Sequence, residues 1–352
     1  MHQSNIAQLK KTVAPYEVTD TKSSIRQLLN TVIPLLLLWY GTYLSLNVSY
    51  WLTILLAIVT GGFVVRTFII FHDCCHQSFF KSRAANDIVG TILGVVTLCP
   101  YEQWKNSHAI HHATSSNLDK RGVGDIWIMT VDEYVSAPLW RRIAYRLYRN
   151  PLIMFGLGPI FVFGIQYRFN RKGARRKERL ANYLTNVLLV GLYALLIWAM
   201  GWEAFVLVQG PIVFVSGLLG IWLFYVQHQF EESYFENEEE WSYVKAAVEG
   251  SSYYKLPRVL QWITGNIGFH HVHHLSPRVP NYNLEKAHDA TPPLQKATTI
   301  TLRTSLESLR FHLWDEHNKR FVSFKGIKRV SGKEAAAAAD SGSKRLPAWQ
   351  GK

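Results

Sequence analysis

The chain has 352 residues, 48% of them apolar, ample for a large core. Its formal charge of +13 would suit nucleic acid, but the basic residues gather beside long apolar runs, so anionic headgroups are the expected contact and no nucleic-acid partner is expected. Three cysteines, Cys74, Cys75 and Cys99, are too few for a disulfide framework and predict a reducing compartment.

Residues 1–26 are polar and mixed in charge, unlike a signal peptide, and predict a cytosolic N-terminal segment. The apolar runs 27–47 and 50–71 predict two transmembrane helices in a hairpin. At 1.5 Å per residue, a run of about 22 residues spans about 33 Å, enough for the hydrocarbon core. Arg66, near the end of the second run, is expected to snorkel to the interface, with a functional role as the alternative. Run 88–100 is short for a span, and 151–167 is broken by Gly and Pro. Segment 139–149 alternates basic and apolar residues at helical spacing, as an interfacial helix or an ordinary surface helix would. Loop 168–179 carries seven Lys or Arg and is expected on the cytoplasmic side. Runs 182–200 and 204–227 predict a second hairpin, with Trp198 and Trp202 at an interface. Residues 231–240 are acidic and read as a solvated loop. A membrane domain over 27–320 would leave 321–352 as a basic, low-complexity tail that includes Ala335–Ala339.

Nine of the fourteen histidines fall into three clusters: His72 and His76; His108, His111 and His112; and His270, His271, His273 and His274. Neutral imidazole is the commonest biological metal ligand. Helical residues advance by about 100°, which puts His72 and His76 within about 40° of each other. His111 and His112 lie at about −60° and +40° from His108, and His273 and His274 at the same angles from His270. His271 falls near +100° and leaves that face. Asn266 falls on the stripe of the third cluster, as a metal ligand or as a helix-to-helix hydrogen-bonding group. His228 stands alone at the end of the last apolar run, on the side where the clusters must gather, and is a further candidate ligand. His2, His288, His312 and His317 lack such context and read as surface residues. Eight or nine imidazoles exceed the needs of one ion, so two ions are expected. If all clusters build one site, His76, His108 and His228 share a side, and neither ambiguous run crosses the membrane alone.

These motifs resemble those of the membrane fatty acid desaturases, an integral-membrane diiron family that includes related hydroxylases. The likeness lies in HxxxH at 72–76, HxxHH at 108–112 and HxxHH at 270–274, and covers roughly residues 25–320. It is closest to bacterial acyl-lipid desaturases through His111-His112-Ala-Thr-Ser-Ser-Asn-Leu-Asp119, Gly250-Ser-Ser-Tyr-Tyr254 and Gly265-Asn-Ile-Gly-Phe-His270. The resemblance implies an all-α integral membrane protein: four transmembrane helices in two hairpins, with a cytosolic helical cap holding a dimetal site. It implies two iron ions held by the box histidines and by His228, with O2 as co-substrate. Phospholipid acyl chains are the implied substrate, a hydroxylase or related oxygenase of the same family being the alternative activity. Electrons would come from a separate donor such as ferredoxin or flavodoxin; the basic segments 168–179 and 319–328 suit docking of an acidic donor, contact with the membrane surface being the equal alternative. Asp73 and Asp119 would orient ligand histidines, helix capping or a surface hydrogen bond being the alternatives. The expected location is a bacterial plasma membrane with the boxes facing the cytoplasm. An intramembrane zinc protease would share the HxxxH spacing of the first box, but Asp73 replaces the Glu such enzymes use, and the other boxes would go unexplained. A metal transporter would place its ligands near mid-membrane rather than at helix ends.

Overall fold

The computed structural model describes residues 9–327. The low-complexity stretch 331–352 and His2 lie outside the described residues. In chain order the helices are α1 (Thr21–Leu44), α2 (Tyr50–Cys75), α3 (Arg83–Val96), α4 (Tyr101–Thr114), α5 (Val131–Ser136), α6 (Leu139–Tyr148) and α7 (Arg176–Met200). There follow α8 (Trp202–His228), α9 (Tyr243–Val248), α10 (Arg258–Ile263), α11 (His270–Leu275), α12 (Leu284–Asp289) and α13 (Leu302–Ser305).

Four of these, α1, α2, α7 and α8, are long and apolar enough to cross a membrane. They form the two expected hairpins, and each extends beyond its apolar run. Helix α1 begins at Thr21 because Asp20 caps it, accepting from the Ser23 amide at 2.9 Å. Helix α2 continues to Cys75 and so carries His72 in its last turn. Helix α7 starts at Arg176, with a basic first turn. The α7–α8 link turns at Gly201, whose φ of 82° favours glycine. Helices α2 and α8 approach closely at Gly61, where a Cβ would come within 2.9 Å of Val215.

Helices α3 and α4 are bent by 100° at their junction. Helix α4 thereby returns to the end of α2 at which His72 sits. Phe71 meets Trp104 edge-on at 5.2 Å and Tyr101 at 6.0 Å, which fixes α4 against α2. The run 151–167 folds into two π-helical turns, Leu152–Leu157 and Ile160–Ile165, bent by 62° from α6. Helix α6 turns Leu139, Trp140, Ile143 and Leu147 outward and buries Tyr145.

Arg66 does not snorkel. It is buried, its guanidinium lies 3.8 Å from the Trp262 ring centroid, and its Nε donates to Thr31 Oγ1 at 3.0 Å. Local acceptors, Thr31 Oγ1 and the Trp262 carbonyl, and the Trp262 ring satisfy the charge, so nothing draws it to the interface.

The cap is helical with short strands added: β1 (Met129–Thr130), β2 (Tyr253–Lys255), β3 (Thr299–Thr301), β4 (Leu313–Asp315) and β5 (Arg320–Val322). Strand β4 lies between a parallel β1 and an antiparallel β5, and β2 pairs in parallel with β3. Strand β5 runs through the expected boundary at 320, and Phe324 and Ile327 pack beneath the same sheet. The N-terminal segment also joins the cap. Leu9 and Val13 are buried against Val272, Leu275 and Val279 beside the third histidine cluster. Each such buried aliphatic side chain contributes on the order of 2 kcal/mol.

Candidate metal centre

Four elements deliver nine imidazoles to one place. Helix α2 carries His72 in its last turn, with His76 just beyond its end; α4 carries His108, His111 and His112. The short α11 carries His270, His273 and His274, and His228 is the last residue of α8. Eight of the nine are buried and His76 is half-buried.

The ring nitrogens converge as two groups. One holds His72, His76, His108, His112 and His273, the other His111, His228 and His274, each with ligand atoms within 4.8 Å of one another. His270 belongs beside the second, its Nε2 lying 3.0 Å from His228 Nε2 and 3.1 Å from His274 Nε2. Within the first group His112 Nε2 lies 3.0 Å from His273 Nε2, and the two groups touch where the His112 and His274 rings stack at 4.3 Å.

Three acceptors decide which nitrogen faces inward. His111 Nδ1 donates to Asp125 Oδ1 at 2.5 Å, and His72 Nδ1 to Asp73 Oδ1 at 3.1 Å. His228 Nδ1 donates to the Gly250 carbonyl at 3.1 Å. A carboxylate or carbonyl oxygen only accepts, so each of these Nδ1 atoms carries the proton and each Nε2 presents a lone pair.

A pair of metal ions fits this donor set. Neutral Nε2 atoms approach each other at about 3 Å, and His76 Nε2 and His111 Nε2 are buried without a hydrogen-bond partner. Such lone pairs are satisfied by shared cations, and imidazole suits iron, zinc, copper and nickel alike. Burial, with smaller contributions from neighbouring rings, holds His76, His270, His273 and His274 well below the ordinary imidazole value, so they are neutral at pH 7.

Two expected positions lie elsewhere. Asp119 orients no histidine: it is exposed, and its Oδ2 accepts from the Glu238 amide at 2.8 Å. Asn266 is not on the helical stripe, because α11 begins only at His270; its φ is 59°, and its Nδ2 donates to the Asn281 carbonyl at 3.2 Å. His271 leaves the cluster, as its angle requires, and lies 3.0 Å from His288 Nδ1. Burial pushes the His271 imidazole down to about 3. His288 is thus buried rather than a surface residue, and His312 is half-buried against Phe324 at 4.3 Å.

Asp125, which sequence reasoning missed, is the carboxylate that His111 uses. Its signal lies in Gly122-Val-Gly124-Asp125. A Cβ on Gly124 would come within 2.9 Å of the Ser107 carbonyl and 3.1 Å of His111 Cβ. Gly124 lets this loop lie directly on α4, and the acid that follows reaches the box histidine.

Comparison with known proteins bears on this geometry. The fatty acid desaturase family profile matches residues 49–305. The chain is 63% identical over 323 residues to a fatty acid desaturase of Bacillus subtilis, covering 92% of each chain. It is 30% identical over 291 residues to the chloroplastic omega-6 fatty acid desaturase of Arabidopsis thaliana, covering 78% of this chain and 60% of that one. It is 29% identical over 286 residues to the sn-1 oleoyl-lipid 12-desaturase of Synechocystis sp., covering 77% of this chain and 78% of that one. With two opposed groups of buried imidazoles at the common end of four membrane-length helices, and with matches of this extent, the chain belongs to the fatty acid desaturase family.

Proposed function

We propose that the chain inserts a double bond into an acyl chain of a membrane phospholipid, using O2 and two electrons from a separate donor such as ferredoxin or flavodoxin. The observation that carries this reading is the convergence of two histidine groups at the shared end of α2 and α8, where a bilayer chain can reach them. The net reaction converts –CH2–CH2– to –CH=CH– while O2, two electrons and two protons become two waters.

Iron is the metal proposed for both groups. When bound, the two irons supply the oxidising chemistry that an unactivated methylene requires. His72, His76, His108, His112 and His273 would hold one, and His111, His228, His270 and His274 the other. Asp73, Asp125 and the Gly250 carbonyl keep the proton on the outward nitrogens, so the inward lone pairs stay available. Phe224 lies 5.0 Å from the His111 ring and 5.1 Å from the His228 ring and offers an apolar wall for a methylene pair. Packing along the acyl chain would select the reacting bond through proximity and orientation. Lys22 and Arg26 on α1 and the basic loop 168–179 favour a cytoplasmic face for this end, in a bacterial plasma membrane.

The test is expression in a host lacking unsaturated lipids, followed by mass spectrometry of its phospholipid acyl chains. A new alkene at one position supports the proposal. Hydroxylated chains with no alkene, or desaturation confined to soluble thioesters, would overturn it.

A further inference from the structure

The first membrane helix lies before the residues matched by the family profile, yet it is wired to the metal centre. Its buried polar residues Ser24, Gln27 and Thr31 lie along one face. Polar side chains facing inward in a membrane helix are costly unless each finds a partner. Ser24 Oγ donates to the Phe79 carbonyl at 2.5 Å, and Thr31 Oγ1 accepts from Arg66. Gln27 Nε2 donates to Asn281 Oδ1 at 2.8 Å.

Asn281 is the junction. Its Nδ2 donates to Asp73 Oδ2 at 2.8 Å, and its backbone amide donates to the same oxygen at 2.7 Å. The other oxygen of Asp73 accepts from His72 Nδ1. Gln27, Asn281, Asp73 and His72 are all at least nine-tenths buried. Chemistry fixes the direction of every link. The carboxylate only accepts, so Asn281 turns its NH2 to Asp73 and its carbonyl to Gln27, which must then donate.

We propose that Gln27 and Asn281 are positioning residues for the metal ligand His72, acting through Asp73, and that α1 is thereby a strut of the first histidine group. The proposal rests on the reading of this cluster as a metal centre. Neither residue touches metal or substrate. With Asp73 pinned by two donors, its free oxygen holds the His72 ring in one orientation, with Nε2 inward. Partners of this kind, one step behind a ligand, typically change metal affinity by about 10–100-fold when removed.

The test measures metal per chain, and metal loss to a chelator, in purified full-length protein reconstituted in lipid nanodiscs. Asn281→Ala should lose metal on the order of 10–100-fold faster than wild type. Asn281→Asp should be worse, since it sets one carboxylate against another. Gln27→Leu should lie between wild type and Asn281→Ala. Only the metal held by the first histidine group should leave faster in these variants, whereas a purely structural role would loosen both metals alike. The proposal is overturned if Asn281→Asp retains metal like wild type, or if both metals are lost equally faster. Wild-type protein without bound metal would overturn it as well. Lipid analysis of the wild type separates the two readings. Metal-loaded protein that makes no alkene sinks the desaturase proposal and leaves this one standing.

Discussion

The two histidine groups share a chemistry and differ in how they are held. The first draws on the three sequence clusters alone, and its anchor runs inward through Asp73 to Asn281 and α1. Trp104 stacks on His108 at 4.2 Å and closes it from that side. The second depends on the solitary His228, and its anchors are loop groups, Asp125 and the Gly250 carbonyl. A cavity of about 30 Å³ lies beside His111 and His228, bordered by Asp125, Phe224 and Gln229. It has room for one water-sized molecule. A group braced by membrane helices should keep its metal longer than one braced by loops and open to a cavity, so chelation of the wild type should be biphasic.

The largest expected effect comes from removing a ligand of the second group. His111→Ala should abolish turnover and bring metal content towards half, with membrane insertion intact. Metal analysis of the purified variant checks this. Loss of both metals together would break the comparison, because the groups would then form one cooperative unit. Full activity would remove the second box from the ligand set.

Next in size is the loop anchor. Asp125→Ala leaves His111 Nδ1 without its acceptor, and should speed metal loss on the order of 10–100-fold in one phase only. Asp125→Asn keeps an acceptor oxygen and should cost less. If both phases accelerate equally, the distinction between the two groups fails.

The boxes were legible because helical geometry links residues three and four apart. His72 with His76, and His108 with His111 and His112, needed nothing beyond the angle per residue. His228 was legible from topology, as a polar residue at the end of a span that must reach the site. The orienting partners were not. Asp125 is a loop residue brought onto α4 by Gly124, and Gly250 contributes only a backbone carbonyl that carries no side-chain signature. Asn281 joins Gln27 across most of the chain length. Asn266 misled for the opposite reason: the periodic stripe was extended into residues that are not helical. His288 was missed because its partner, His271, is defined by facing away from the other histidines.

Acid should act on the buried imidazoles as a set. His270, His273 and His274 lie below the ordinary value of 6.5 in the folded protein, chiefly through burial. In the unfolded chain they take up protons near that value. Below about pH 6.5 the unfolded state therefore binds more protons, and the stability present above that pH is lost as pH falls. The melting temperature of metal-free protein in nanodiscs should fall steadily from pH 7 to pH 5, both approximate limits set by that reference value. A flat profile would mean these rings are already charged or exposed in the folded state.

The smallest effect is expected at Asp119, which lies in the second box's sequence neighbourhood and outside its chemistry. Its carboxylate accepts from the Glu238 amide at 2.8 Å, while Lys120 pairs with Glu238 at 2.5 Å in an exposed contact. Asp119→Ala removes one exposed hydrogen bond, for which about 1 kcal/mol is the expected scale. Neither metal phase should change, because no imidazole loses a partner. A chelation trace matching wild type, beside a small drop in melting temperature, is the expected pair of results. Accelerated metal loss would mean that the 117–121 turn braces α4. The second group would then reach further into the acidic loop than its hydrogen bonds indicate.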